Sequence, residues 1–394
     1  MKKSTHTAEP RGFKRIGLVA KPEKLHTGVG RYVEMLQLEL RAAGVDVVRV
    51  APATPPLPIG VHNLLRRAQI DLRAFLSNSP VWAQYPVADI YHLSSQNLAS
   101  LLLFHRPPGR VVVTVHDIIP YMLRHDRRLC VYRTAADRLF DHLAMQGLRQ
   151  ADWLIADSTY TRRCLTEYLG IASKHVTVVH LGLDHKRFRP RKVPVTLSER
   201  YGLPAGRRYL IYVGSEDPRK NVETLVRALA RVRGALPDVE LIKVGWAHFA
   251  GERSRLLALA SELGVTGAVH FLDDVPESDL PLLYNLAAVC VLPSLQEGFG
   301  FPLLEAQACG TPVIYAAAAS LPEIAGGAGL AFNPRSGGVS ALADTLSQLL
   351  ADTGRQHELR AQGRANAARF RWDSSVKQVL DVYAAAVRLG MRPS

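Results

Sequence analysis

Two glutamates, Glu297 and Glu305, flank a glycine-rich turn in the stretch LPSLQEGFGFPLLEAQACG, residues 292–310. The stretch follows an apolar run, turns through Gly298 and Gly300, and carries Pro302 where a helix would begin. Glycines let the backbone close on a ligand, and the unpaired N–H groups of a new helix suit a phosphate. A carboxylate before the turn and a second in the first turns of the helix can grip two hydroxyl-bearing parts of one ligand. Taken singly, Glu305 complements a helix dipole and Glu297 is a solvated loop acid; the whole string points to a ligand site. A second strand-to-helix loop, GSEDPRKN at 214–221, sets Arg219 and Lys220 behind Pro218. Two cations in such a loop suit a phosphate.

The first half of the chain offers a weaker set. Gly28 and Gly30 in GVGRY follow an apolar strand and open a helix, but position 33 is Val33, so the third glycine of a dinucleotide fingerprint is missing. That argues against NAD. His116 and Asp117 close the run Thr114-Val115-His116-Asp117, a polar pair at the carboxyl end of an apolar strand. Asp117 has an alternative role as a cap of the following turn. His92 follows another strand and reads as core or supporting structure more readily than as a cleft residue. Ser158 and Thr161, after the strand of LIADSTYT, could line an acceptor side, with Ser158 better suited to a helix N-cap.

These residues need a frame, and the hydrophobic pattern supplies one. Short β-branched runs alternate with amphipathic stretches from end to end: 15–20, 45–50, 90–93, 110–115, 153–156 and 176–180, then 209–213, 240–244, 268–272, 288–292 and 312–315. Apolar strands alternating with helices such as 30–43, 222–233 and 278–287 imply parallel sheets covered on both faces, an α/β fold. Leu98–Phe104 and Val111–Val115 are apolar runs of strand length. The turn-rich, basic piece 182–194, GLDHKRFRPRKVP, divides the chain into two similar doubly wound halves. The expected organisation is a domain over 1–181, a linker over 182–194, a second domain over 195–370 and a terminal helix over 371–394. Two such domains imply a cleft, with ligands outside the carboxyl ends of the strands.

With these motifs in view, the chain resembles the retaining glycosyltransferases of family 4, which have the GT-B fold of two facing Rossmann-like domains. The resemblance rests on the E-x7-E string EGFGFPLLEAQACGTPVI, on GSEDPRKN, on the linker-like VVHLGLDHKRFRP and on the terminal FRWDSSVKQVLDVY. It implies that the terminal helix crosses back to the first domain and that the first domain takes the acceptor and the second the nucleotide sugar. Glu305 would then bond the nucleotide ribose and Glu297 the donor sugar. Phe299, Gly300 and Phe301 would meet sugar and diphosphate through their backbone, and Lys220 would hold the diphosphate. Where the family often has arginine after the strand glycine this chain has Ser215, and Arg219 is the candidate replacement. Gly28 and Gly30 would lie near the donor phosphates, and His116 near the reacting centre, with His92, Asp117 and Ser158 on the acceptor side.

The implied reaction transfers a hexose from a nucleotide sugar to an acceptor hydroxyl with retention. The TVHDIIP and PRKN combination resembles mannosyltransferases using GDP-mannose, with UDP-hexose the other donor. No cofactor beyond that donor is implied. No DxD element stands on a strand-end loop, so no metal is expected. Two other classes stay open: a nucleotide-sugar 2-epimerase of the same architecture, and a non-enzymatic basic binding protein.

Charge is the unusual feature of composition: 49 Lys and Arg against 35 Asp and Glu, a net +14. Residues 1–180 hold 24 of those cations and 14 of the anions, so the excess concentrates in the expected acceptor half. Val61–Leu76 has an apolar helical stripe with Arg66, Arg67 and Arg73 off it, and 124–149 is a second basic segment. Both fit a face for anionic lipid carrying a glycan or lipid-linked acceptor, but each taken singly reads more readily as an ordinary helix with solvated arginines. No nucleic-acid motif accompanies the charge. No apolar run approaches bilayer length, the start of the chain lacks an apolar signal core, and Cys130, Cys164, Cys290 and Cys309 have no metal or disulfide spacing. The expected setting is cytoplasmic, with peripheral membrane contact as a further reading.

Overall fold

A computed structural model describes residues 12–21, 28–53, 80–247, 251–335 and 337–389. They form two units: the first holds the described residues within 1–126, 130–181 and 372–394, the second those within 127–129 and 182–371. The apolar-striped segment 61–76 lies outside the described residues.

The first unit is built on β1 (Arg15–Val19), β2 (Asp46–Val50), a two-residue antiparallel pair β3 (Pro52–Ala53) and β4 (Trp82–Ala83), then β5 (Ile90–Leu93), β6 (Arg110–Val115), β7 (Trp153–Ala156) and β8 (Val176–Val178). The main sheet runs β2-β1-β5-β6-β7-β8, all parallel. Val111, Val112, Val113 and Val115 of β6 are wholly buried, as an unbroken apolar strand covered on both faces requires. The expected strand boundaries hold to within two residues. Leu98–Phe104 does not form a strand: a 3-10 helix, Gln96–Ser100, runs into the helix Leu101–Phe104. The run holds Leu, Ala and Ser with no β-branched residue before Phe104, so nothing in it favours an extended chain.

Against this turn packs the helix Ala135–Leu148, started by a capping box in which Thr134 Oγ1 accepts from the Asp137 N–H at 3.1 Å and Asp137 Oδ2 from the Thr134 N–H at 2.8 Å. Gly147 makes the approach possible, because a Cβ there would lie 1.9 Å from the Ala99 carbonyl oxygen. The helix Trp372–Leu389 also belongs to this unit. Its Tyr383 is fully buried, edge-on to Phe13 with ring centres 5.6 Å apart, and Ser375 Oγ donates to the His180 carbonyl at 2.7 Å.

The second unit contains β9 (Arg208–Val213), β10 (Val239–Val244), β11 (Val269–Leu272), β12 (Val289–Leu292), β13 (Val313–Ala316) and β14 (Leu330–Phe332). Its parallel sheet runs β11-β10-β9-β12-β13-β14, so the winding direction reverses between β9 and β12. These two strands pair only at Leu210–Val289 and Ile211–Cys290. Each continues beyond the ladder, so the loops that follow have room between them, as ligand sites in open α/β sheets require. β14, three residues flanked by glycines and polar residues, was too short to be read in the sequence.

Gly147 and Gly234 give opposite tests of this packing. Gly147→Ala forces the Gln96–Ser100 turn away from its helix and is expected to destabilise the first unit by about 1–3 kcal/mol. Gly234, inside Val222–Ala235, has nothing within 4 Å of an added Cβ, so Gly234→Ala should stabilise by about 0.5–1 kcal/mol. Thermal unfolding followed by circular dichroism checks both; a shift of the same sign in the two variants contradicts the packing described.

Candidate active site

In the second unit the loops after β9 and β12 are tied to each other. The Leu295 N–H donates to the Arg219 carbonyl at 2.8 Å, and Asn221 Nδ2 donates to the Pro293 carbonyl at 3.2 Å. Arg219 Nη1 donates to the Gln296 carbonyl at 3.0 Å, and Lys220 Nζ to Glu297 Oε1 at 2.6 Å. The loop after β9 turns through a single 3-10 turn, Pro218–Lys220, capped by Asp217, whose Oδ1 accepts from the Arg219 N–H at 3.1 Å and Oδ2 from Arg219 Nε at 2.9 Å. Asn221 then takes a left-handed conformation, φ 57°, to open the helix Val222–Ala235. Ser215, where the family resemblance expects arginine, accepts the Tyr212 hydroxyl on its carbonyl at 2.8 Å.

Lys220 and Glu297 are mostly shielded, with side chains 16% and 11% exposed. Burial pushes the Glu297 carboxyl up, but Lys220 and Arg219, together with a 3.0 Å hydrogen bond from Ser294 Oγ, bring it below the ordinary glutamate range. The carboxylate is therefore ionised at neutral pH. Burial lowers the Lys220 ammonium from its ordinary value while Glu297 acts in the opposite sense. Arg219 Nη1 stands 3.9 Å from Glu297 Oε2, so one carboxylate orients two cations.

The glycine-rich turn is held from behind. Ser320 Oγ lies 2.9 Å from the Glu297 carbonyl and 3.1 Å from that of Phe299, bonding both. Gly300, φ 100°, precedes the helix Phe301–Cys309, with Pro302 in its first turn as the sequence indicates. A side chain at Gly300 would be strained by that φ and would meet Leu321 at 2.8 Å. Glu305 is 1% exposed, and the Tyr284 hydroxyl donates to its Oε2 at 2.9 Å. Burial holds the Tyr284 phenol well above its ordinary pKa, so it remains a donor.

In the first unit, Gly28 and Gly30 fall inside the first turn of the helix Gly28–Ala42. His116 and Asp157 are the first residues beyond the last β6–β7 pair, Val115–Ala156. His116 Nδ1 lies 2.5 Å from Asp157 Oδ2, and Nε2 lies 3.0 Å from the Ser94 carbonyl. Asp117 Oδ1 accepts from the Ile119 N–H at 3.0 Å, the capping role its position allowed.

Two residues that the resemblance set on the acceptor side have the buried, supporting roles that their positions in the sequence favour. His92 is fully buried, with Nδ1 at 2.6 Å from the Tyr383 hydroxyl and Nε2 at 2.7 Å from Thr114 Oγ1. Burial lowers its pKa to about 3, so it is neutral. Ser158, also fully buried, caps the helix Thr159–Leu169 by accepting from the Thr161 N–H at 3.1 Å. Sequence reasoning missed Tyr284, Ser294, Ser320 and Asp157. Only Asp157 had a readable signal, as a polar residue at the carboxyl end of an apolar strand. Among the described residues no cluster of His, Cys, Asp and Glu is arranged to hold a metal ion.

Comparison with known proteins accounts for both halves. Residues 26–187 match the profile of Glycosyltransferase Family 4, and residues 196–367 that of Glycosyl transferases group 1. The chain is 34% identical over 260 residues to a D-inositol 3-phosphate glycosyltransferase of Salinispora arenicola, covering 61% of this chain and 56% of that relative. The chain therefore spans only about half the length of such relatives. With the O-antigen chain mannosyltransferase B of Escherichia coli it shares 28% identity over 91% of this chain and 96% of that one. The sucrose-phosphate synthase of Thermosynechococcus elongatus superposes with a TM-score of 0.73 at 23% identity, over 95% of this chain and 100% of that one. Anabaena HepE in complex with UDP and glucose superposes at 0.69 and 19%, over 94% and 100%. With both halves matched in order and two parallel Rossmann-like sheets beneath them, the chain belongs to the group 1 glycosyl transferases and has their GT-B fold.

Proposed function

We propose that this protein transfers a hexosyl group from a nucleotide sugar to an acceptor hydroxyl, with mannose from GDP-mannose as the donor. The observation that carries the reading is the pair of stitched loops at the β9–β12 reversal, where Arg219 and Lys220 are held on Gln296 and Glu297, just ahead of the glycine turn that opens the helix Phe301–Cys309. Cations and helix N–H groups there suit a diphosphate, and Glu297 and Glu305 suit hydroxyls. Similarity to the E. coli mannosyltransferase over nearly the full length of both chains supports mannose. A UDP-linked hexose is the competing donor.

In the proposed reaction the acceptor oxygen bonds to the anomeric carbon on the face from which the sugar–phosphate bond breaks, giving retention. The departing phosphate oxygen takes the acceptor's proton. Lys220, Arg219 and the helix N-terminus oppose the negative charge that grows on the diphosphate, so the protein acts by positioning and electrostatics without a metal. Glu297 keeps both cations aimed and uses its remaining acceptor capacity on a sugar hydroxyl. Glu305, fixed by Tyr284, accepts from the ribose. His116 is proposed as a sugar contact near the reacting centre. A glycan or lipid-linked acceptor would bind the first, more basic half, which is also the half proposed to meet an anionic membrane surface from the cytoplasmic side. Among the described residues no helix is long and apolar enough to cross a membrane.

A thermal-shift screen with GDP-, UDP-, ADP- and dTDP-sugars tests the reading. GDP-mannose should raise the melting temperature most; no rise with any nucleotide overturns the enzyme assignment. Interconversion of donor epimers in place of transfer would favour the epimerase. Lys220→Ala should lower kcat about a hundredfold, as loss of one transition-state donor does. Glu305→Ala should raise the nucleotide Kd at least about tenfold through a lost charged hydrogen bond. Wild-type kinetics in both variants contradict the site.

A further inference from the structure

The imidazole of His116 is enclosed by acceptors. A carbonyl can only accept, so Nε2, 3.0 Å from Ser94 O, carries a proton. Nδ1 faces the carboxyl of Asp157, a residue 1% exposed whose other oxygen, Oδ1, has no hydrogen-bond partner among the described residues. The backbone on both sides is fixed: the His116 N–H donates to Gln96 Oε1 at 3.2 Å, and Thr161 Oγ1 donates to the His116 carbonyl at 3.3 Å. Tyr32 presents its ring edge-on to His116, with centres 5.0 Å apart. With Nε2 holding a proton, a second proton on Nδ1 makes the ring a cation donating to two acceptors, and no ring lone pair is left to take a proton from a substrate.

We infer that Asp157 is a positioning residue that keeps His116 a doubly donating imidazolium, so that His116 serves the transfer as a fixed positive charge and never as a base. The inference rests on the proposed place of His116 near the reacting centre.

The groups around the pair support the cation. Burial pulls the His116 pKa down, and the Asp157 carboxylate, the Ser94 carbonyl and Asp117 together push it above its ordinary value. The Asp157 carboxyl is raised on balance: burial and Asp117 push it up against the opposing pull of His116 and His180, so where the shared proton rests is what the test reads. His92, on β5, is neutral and adds no competing cation. From the helix Gly28–Ala42 comes Tyr32, whose phenol burial holds un-ionised, and from Trp372–Leu389 comes Tyr383, likewise un-ionised, bonded to His92. Because the His116 pKa is raised, the charge is complete at low pH and is lost as pH rises through the raised value. A valine or serine beside His116 would leave a ring that discharges near neutrality; the aspartate extends the cation across the working range.

The test has an arm independent of activity. Full-length protein labelled with 15N-histidine is titrated by NMR, His116 being assigned by its loss in His116→Gln. Both ring nitrogens should stay protonated above pH 6.5, the ordinary value for histidine, and Asp157→Asn should lower the His116 pKa by about one unit or more. In kinetics, kcat of Asp157→Asn should fall about tenfold per pH unit above the lowered pKa, recover at low pH, and be rescued by Asp157→Glu. A bare Nδ1 in the wild type, with the shared proton on Asp157, overturns the inference. So does an Asp157→Asn variant that lowers the His116 pKa without moving the kcat profile. If His116→Gln turns over normally while the NMR result holds, the proposed place of His116 fails and the role of its charge fails with it. Should Asp157→Asn not fold, the wild-type titration and the Asp157→Glu profile decide.

Discussion

Lys220 and Glu297 meet at 2.6 Å across the one place in the second sheet where the winding direction reverses. Without that contact the loops after β9 and β12 would share one main-chain bond and two side-chain bonds to carbonyls, and two cations would repel each other in a mostly shielded site. With it, one carboxylate is ionised against the cost of burial, two cations are aimed, and the glycine turn that follows is fixed at its first residue. A partly buried ion pair contributes little to stability when set against a well-packed apolar alternative. Its value here is geometric: a diphosphate arrives at donors already in position, and little reorganisation is left for the reaction itself.

The rest of the second unit serves this arrangement from outward in. Strand pairing between β9 and β12 ends early, which gives the loops room. Ser320 holds two carbonyls of the glycine turn, the Asn221 side chain pins the Pro293 carbonyl, and Leu295 joins main chain to main chain at Arg219. Glu305 sits deeper, on the helix that the turn starts, with Tyr284 fixing its orientation. The first unit repeats the logic at another strand end, where Asp157 and Ser94 fix a ring in place of an ammonium.

Much of this was legible in the residues. Fully apolar strands alternating with amphipathic helices gave parallel sheets, and Gly300, Pro302, Arg219 and Lys220 stood out because a turn, a helix start and a phosphate each demand particular residue types. What stayed hidden depends on three-dimensional register. Nothing in sequence tells that Tyr284 lies against Glu305, or that His116 and Asp157, 41 residues apart, follow the same ladder pair. His92 and Ser158 keep an acceptor-side alternative beside the core and capping roles the sequence favours, because a polar residue at a strand end looks alike whether it caps, supports or binds. Only burial separates the cases. Leu98–Phe104 is of strand length and yet helical, since a short apolar run has no period that tells strand from helix.

The most direct measurement is calorimetric titration of wild type and Lys220→Met with a nucleoside, its monophosphate and its diphosphate, using the base that gives the largest thermal shift. If the stitched loops form a diphosphate site, wild-type affinity rises sharply at the diphosphate and that rise disappears in Lys220→Met, while nucleoside binding persists. A variant that keeps the full gain from monophosphate to diphosphate, or a wild type that shows no such gain, contradicts the account.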